Sequence, residues 1–368
     1  MSKAAELAAL IGSGQAQGNK NFVQNGAMKV AQRGSVTGIT ASSYGGSDRF
    51  KISVSSHGTY TLSQSTTAPD GFVNSFKVDC TTADTSVAAS SYAVVQQKIE
   101  AQNCQRLLYG TSGAKTVTIS FYVRSNVTGT YSFNFYSDDT GRQIATTYTI
   151  NSADTWEFKT ITFVGDTVGA INNDNGEGIH VDWFLAAGSN FTSGSQTGWN
   201  AYSSNVTSYA KGHAVNLASS TDNEWMLSGV QLEIGDVATP FEHRSFGDEL
   251  LACMRYYQQI GGELSNTLCT GQCTSSTLAQ FFIPFIVPVR DDPTCSVSDQ
   301  THFRVFNAAV SGIPDTTNMT IAATNAASHG GFRIITTVGS GLAAGNATML
   351  SGSDSDNNAG IIKMDAEL

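Results

Sequence analysis

The sequence predicts an all-β protein: an antiparallel sandwich or barrel, a short connector helix, a second smaller β-domain, and a short N-terminal helix. Three observations predict it. Apolar and polar residues alternate in run after run between Asn21 and Arg244. Clusters of Gly, Asn, Asp and Ser punctuate those runs. Charged residues are only 14% of the 368, which fits β-structure with long polar loops rather than a disordered acidic tail. A hydrophobic fraction of 40% supplies the core.

In chain order, Ser2–Ile11 predicts a helix capped by Ser2, with Ala4, Leu7, Leu10 and Ile11 on one apolar stripe and Gly12 and Gly14 ending it. Ten residues do not hold a helix alone in water. The stripe must therefore dock, either on its own domain or on another protein, and Leu7, Leu10 and Ile11 are the candidate attachment residues. Val117, Ile119, Phe121 and Val123 alternate with Thr118, Ser120, Tyr122 and Arg124, the period-two pattern of a half-buried strand. Tyr131, Phe133 and Phe135 repeat the pattern. Trp156, Phe158, Ile161 and Phe163 mark another strand pair, and Val181–Leu185 a more fully buried strand. Turn chemistry separates them at Gly45–Asp48, Ser137–Gly141 and Asn172–Gly178.

Met226, Leu227, Val230 and Leu232 read as a buried strand that breaks at Gly235, before a turn at Thr239-Pro240. Phe246–Tyr257 has helical spacing, with Leu250, Leu251, Met254 and Tyr257 on one side. Beyond it, Phe281–Val289 (FFIPFIVPV) is strongly apolar but carries Pro284 and Pro288. Proline donates nothing to a ladder, so an edge strand, or a stretch packed against another chain, is expected. Gly330–Thr337 and Ala359–Met364 are two more strands. The expected divisions are an attachment segment over 1–20, the large β-domain over 21–244, the connector over 245–262 and the small β-domain over 263–368.

Composition excludes several functions. A net charge of −10 with no basic cluster argues against nucleic-acid binding, which needs phosphate neutralisation by Lys and Arg. No apolar run reaches the length of a membrane span, and Glu6 interrupts the N-terminal Ala/Leu stretch, so neither membrane insertion nor a signal peptide is expected. Six cysteines in so long a chain predict buried free thiols. No nucleophile elbow, H-E-x-x-H or phosphate-binding loop occurs, and no two histidines stand at metal-ligand spacing. The sequence therefore predicts no catalytic residue, no metal site and no cofactor. Asn172, Asp174 and Glu177 offer oxygen ligands for a structural calcium, although ordinary turn chemistry explains them better. Sugar recognition needs flat aromatic faces beside amides or carboxylates. In Asn190–His213 the candidates are Trp199, Tyr202 and Tyr209, with packing into the core as the competing reading.

Two stretches carry family resemblances. Gly229–Glu233 (GVQLE), Ala238–Ser245 (ATPFEHRS) and Cys253–Tyr257 (CMRYY) together resemble a widespread family of bacteriophage tail-fibre and virion structural proteins, and the ending Lys363–Leu368 (KMDAEL) is similar to that family's C-terminus. Asn21–Met28 (NFVQNGAM), Lys115–Val123 (KTVTISFYV), Thr155–Val164 (TWEFKTITFV) and Trp225–Glu233 resemble, in that order, strands of jelly-roll carbohydrate-binding modules. The second resemblance implies a jelly-roll sandwich and, in that class, a structural calcium. The first implies a homotrimeric tail fibre of the virion, assembled in the host cytoplasm, held by its N-terminus to other phage proteins and contacting a host-surface glycan. A capsid decoration or head-fibre protein and a stand-alone carbohydrate-binding module are the alternatives. His243 and Arg244 are expected to form a hydrogen-bonded hinge.

Overall fold

The computed structural model describes residues 19–264, 266–306, 315–322, 326–352 and 360–368. The predicted N-terminal helix, with Leu7, Leu10 and Ile11, lies outside them. The chain divides into two compact units, the first ending at Leu250 and the second running from Leu251 to Glu367. None of the described helices is long and apolar enough to cross a membrane.

The first unit is an antiparallel jelly-roll sandwich. Its strands are β1 (Val36–Ile39), β2 (Ser43–Tyr44), β3 (Lys51–Ser55), β4 (Thr59–Ser65), β5 (Ser75–Thr82), β6 (Tyr92–Glu100) and β7 (Val117–Ser125). They continue with β8 (Gly129–Ser137), β9 (Arg142–Ile150), β10 (Glu157–Phe163), β11 (Glu177–Ala187), β12 (Asn200–Ala201) and β13 (Glu224–Ile234). One sheet has the order β1-β4-β5-β13-β7-β10 and the other β12-β9-β8-β11-β6-β3-β2. Side chains alternate across each strand, so one set from each sheet meets in the middle. Val117, Ile119, Phe121 and Val123 of β7 face Tyr131, Phe133 and Phe135 of β8, all fully buried. Trp183 sits between them, edge-on to Phe121 at 5.7 Å and to Phe133 at 5.2 Å. Such pairs add about 0.5–1.5 kcal/mol each beyond the area they bury.

Several expectations need correction. Trp156 precedes β10 rather than marking a strand of its own; Ile161 and Phe163 turn inward, whereas Phe158 is half exposed. Asn21–Met28 is buried but forms no strand. Asn25 and Met28 both have φ of 55°, which breaks an extended ladder. The segment instead docks on β13 through Phe22 N–H to Leu232 O (2.9 Å) and Asn21 Nδ2 to Val230 O (3.0 Å). The helix α2 (Phe246–Met254; α1 is Ser189–Thr192) is three residues shorter than its apolar spacing suggested. Ser245 Oγ caps it by accepting from Asp248 N. Tyr257 already belongs to a strand, because its backbone pairs with Asp365.

That strand, β14 (Tyr257–Gly261), opens the second unit, followed by β15 (Thr267–Cys273), β16 (Leu278–Pro284), β17 (Thr294–Val297), β18 (Phe303–Phe306), β19 (Thr316–Ala322), β20 (Gly331–Val338), β21 (Ala347–Gly352) and β22 (Ile361–Asp365). They form a β14-β22-β17 sheet and a β18-β21-β15-β16-β20-β19 sheet. The proline-bearing segment is an inner strand, not an edge: β16 lies between β15 and β20. Pro284 is its last residue and Pro288 falls beyond it, so neither proline removes a donor from the middle of the ladder. Phe281 and Ile283 fill this unit's core with Phe303, Phe332, Ile334 and Leu350. All six cysteines are free, four of them buried.

The tract GVQLE…ATPFEHRS closes on itself at the exit of β13. Glu233, only 2% exposed, accepts from Thr239 N (2.8 Å) and Thr239 Oγ1 (2.6 Å), and Gln231 Nε2 donates to it at 2.8 Å. Gln231 Oε1 accepts from Glu242 N (2.7 Å). Glu242 in turn accepts from Asn21 N and from Arg244, whose guanidinium also donates to Asn21 O at 2.7 Å. His243 stays exposed against Phe72 and Phe241. Removing the Glu233 carboxylate leaves the Thr239 N–H without its acceptor and takes from the Gln231 amide its shortest one. Glu233→Ala should therefore lower the first unit's unfolding free energy by about 1–3 kcal/mol. Urea denaturation measures it, and a change within about 0.5 kcal/mol, the size of a surface substitution, would show that the clasp is not structural.

Candidate functional site

Strand β11 is buried from Gly178 to Ala186. Its inner residues Val181, Trp183 and Leu185 belong to the sandwich core. The alternate set, His180, Asp182 and Phe184, therefore points to the outer face of the seven-stranded sheet. The register extends that face sideways in two rows. One runs Tyr44, Lys51, Gln96, Asp182, Asn134 across β2, β3, β6, β11 and β8. The other runs Lys98, His180, Tyr136, Gln143, Asn200 across β6, β11, β8, β9 and β12.

Part of this face is roofed by the chain between β11 and β13. Phe184, Val94 and Ala210 form a small apolar cluster beneath it, with Tyr92, Phe191 and Tyr209 packed around them. His213 Nδ1 accepts from Ser132 N (3.1 Å), pinning the far end of the roof. What stays partly open is an aromatic and polar floor centred on Tyr136, which stacks on His180 with ring centroids 4.6 Å apart and planes 14° from parallel. Tyr202 and Tyr209 stand edge-on to Tyr136 at 5.7 and 6.2 Å and to each other at 5.2 Å.

The charges on this floor are tied together. His180 Nδ1 pairs with Glu177 Oε1, and its Nε2 faces Asp182 Oδ2 at 3.2 Å. Lys98 Nζ holds the other Glu177 oxygen at 2.5 Å, and Gln96 Nε2 donates to Asp182 Oδ1 at 2.7 Å. Burial opposes a charged imidazole, but Asp182 and Glu177 outweigh it and hold His180 up at about 9. Burial likewise opposes the Glu177 carboxylate, yet His180 and Lys98 pull it down to about 2. His180 is thus an imidazolium at neutral pH and offers no lone pair as a base. Burial raises the hydroxyls of Tyr136, Tyr202 and Tyr209, keeping them neutral donors and acceptors.

Of the aromatic residues expected to meet a ligand, Tyr202 and Tyr209 come together here. Trp199 does not join them: it packs edge-on to Tyr109 at 5.6 Å and Phe135 at 5.5 Å, and its Nε1 donates to Val164 O at 2.7 Å. Asn172 and Asp174 make turn bonds, to Asp139 and to Gly176 N, while Glu177 points into the floor. Sequence reasoning missed Tyr136, His180, Asp182, Gln96 and Lys98. The signal was the spacing of His180 and Asp182, two polar groups one strand period apart in an otherwise apolar run.

No family model matches the chain, and no curated protein does. Among solved structures it is similar to the enzymatically active domain of tailspike protein 4 of bacteriophage CBA120, at 11% identity over 59% of this chain and 22% of that one, with a TM-score of 0.28. It is also similar to the family 11 carbohydrate-binding module from Clostridium thermocellum in complex with a mixed-linked tetrasaccharide, at 11% identity over 56% of this chain and 98% of that one (TM-score 0.29). A third is the CBM22-1 xylan-binding domain from Paenibacillus barcinonensis, at 10% identity over 61% and 99% (TM-score 0.27). The chain thus spans less than a quarter of the tailspike structure.

Two of the buried histidines, His180 and His213, titrate in opposite senses. His180, raised from its ordinary 6.5, contributes stability that is complete below 6.5 and is lost as pH rises through about 9. Burial depresses His213 to about 4, so its contribution is complete above 6.5 and is lost as pH falls through about 4. Glu177 adds a further loss between its ordinary 4.5 and about 2. From these groups the thermal midpoint of the first unit should peak near pH 6.5. Calorimetry from about pH 3 to about pH 10 checks it. His180→Gln should flatten the alkaline limb and also shrink the part of the acid loss that comes from Glu177, which His180 helps hold down. An unchanged alkaline limb would rule out His180 and its carboxylates as its source.

Proposed function

We propose that the first unit binds a glycan across the outer face of its seven-stranded sheet, within a bacteriophage tail fibre that is homotrimeric and fixed through its N-terminal segment. The observation that carries the glycan reading is the floor itself. Three tyrosine rings cluster at 5.2–6.2 Å beside a carboxylate, an imidazolium and planar amides whose positions are set by strand register and by each other. Rings of this kind cover the apolar faces of sugars, and the buried charges beneath them hold Tyr136 in place. The role is binding rather than catalysis, since the histidine is charged and both of its nitrogens face carboxylates. The virion assignment rests on the GVQLE…ATPFEHRS…CMRYY tract and the KMDAEL ending.

Two experiments test the two parts. Tyr202 lies on the roof and is half-buried, so its truncation leaves the sandwich core intact. On an immobilised-glycan array, Tyr202→Ala should weaken binding of the retained glycans by about tenfold or more, in line with the about 1.4 kcal/mol that a tenfold change represents, with little change in the melting midpoint. Undiminished binding would refute the proposed floor. For the fibre reading, light scattering should return a stable trimer. Leu7→Asp combined with Leu10→Asp should abolish incorporation into particles while leaving glycan retention intact. A dilution-resistant monomer would remove the fibre and favour a stand-alone module.

A further inference from the structure

On the glycan-binding reading, we propose that the glycan this face takes is acidic, and that Lys51 receives its carboxylate at the β2–β3 end of the floor. The site's other charges are already answered within the chain. Glu177 is held by His180 and Lys98. Asp182 is held by Gln96 and His180. Lys98 is therefore neutralised in place, and so is the imidazolium.

Lys51 differs. It is half-buried and aligned with Gln96 and Asp182 in the first cross-strand row. Its Nζ sits 5.4 Å from the centre of the Tyr44 ring, and Arg33 lies 5.2 Å from the same ring. Among the described residues no carboxylate comes within ion-pair distance of the Lys51 ammonium. Burial and the charge of Lys98 lower its pKa, while Glu177 and Asp182 oppose that only in part. A partly desolvated ammonium with an aromatic face but no anion beside it is under-compensated, and an anion on the ligand would relieve it. The chemistry selects the class of anion. An ammonium is a compact point charge, matching the single charge of a sugar-ring carboxylate, and the Tyr44 ring beside it suits the ring that bears it. With a chain net charge of −10, one such cation does not make a site for a polyphosphate backbone.

The test compares paired ligands on one array: oligosaccharides bearing uronic or sialic acid, the same oligosaccharides after reduction of the carboxyl group, and sulfated or phosphorylated sugars. Wild-type protein should favour the carboxylate form over its reduced partner by about tenfold, the size of one charge-assisted hydrogen bond, and added salt should erode the preference. Lys51→Met keeps the apolar stem against Tyr44 and should erase the preference; Lys51→Arg should retain it. If acid and reduced forms bind equally while Tyr202→Ala still weakens both, the acidic-ligand proposal is wrong and the glycan reading stands. Preference for sulfate or phosphate would overturn the carboxylate assignment. If no glycan of any kind is retained, both fall.

Discussion

The first unit depends on a strand with no free face. β11 is covered inside by the sandwich core and outside by its own following loop, so any polar group it carries must be satisfied where it stands. His180 and Asp182 meet that constraint through Glu177, Lys98 and Gln96, contributed by the same strand and its neighbour β6. A lone buried charge would cost several kcal/mol. The interlocked set avoids this, and it fixes the ring of His180 under Tyr136. The aromatic floor is held at the geometry the ion triple imposes.

The loop that seals β11 is also the one that brings the other two tyrosines. Its long polar stretch between Gly188 and Asn216 would be expensive to order without anchors. It has three: Phe191 and Tyr209 against Phe184, the His213 ring under Ser132 N–H, and Trp199 wedged into the sandwich against Phe135. Trp199 therefore serves the site at a distance, by holding the roof that presents Tyr202. One indole packed against the end of the core and one tyrosine beside Tyr136, both half-buried, are two ends of the same device.

Much of this was legible in the sequence. The alternation of Val117–Val123 and Tyr131–Phe135 gave strands facing the core, and the polar clasp around Glu233 lies where the GVQLE…ATPFEHRS tract marked a strand exit and turn. The misreadings share one cause: local pattern was overridden by what pairs alongside. Phe246–Tyr257 has helical spacing, yet Tyr257 pairs with Asp365, over a hundred positions away in sequence. Phe281–Val289 carries two prolines, yet β16 is central, because the ladder ends at Pro284. Asn21–Met28 looks like a strand, yet two left-handed residues turn it into a buried irregular segment hung on β13. The floor was not legible for the same reason. Tyr44, Lys51, Gln96, Asp182 and Asn134 are scattered between positions 44 and 182, and only strand register sets them in one row.

That dependence on register explains why such a face can change ligand without changing fold. Inner positions of β8 and β11 are committed to Phe133, Phe135 and Trp183, where a change of volume leaves a cavity or a clash. Outer positions answer only to their cross-strand partners. Asp182 and His180 are bound into the ion triple and cannot be exchanged singly without leaving a charge unpaired. Lys51, near the β2 end of the row, carries no such obligation. On the proposed glycan reading, specificity is set at the margins of the floor and affinity at its centre, and a shallow face with few free groups would bind each sugar weakly. A fibre presenting several copies would gain its grip from their joint engagement rather than from any one of them.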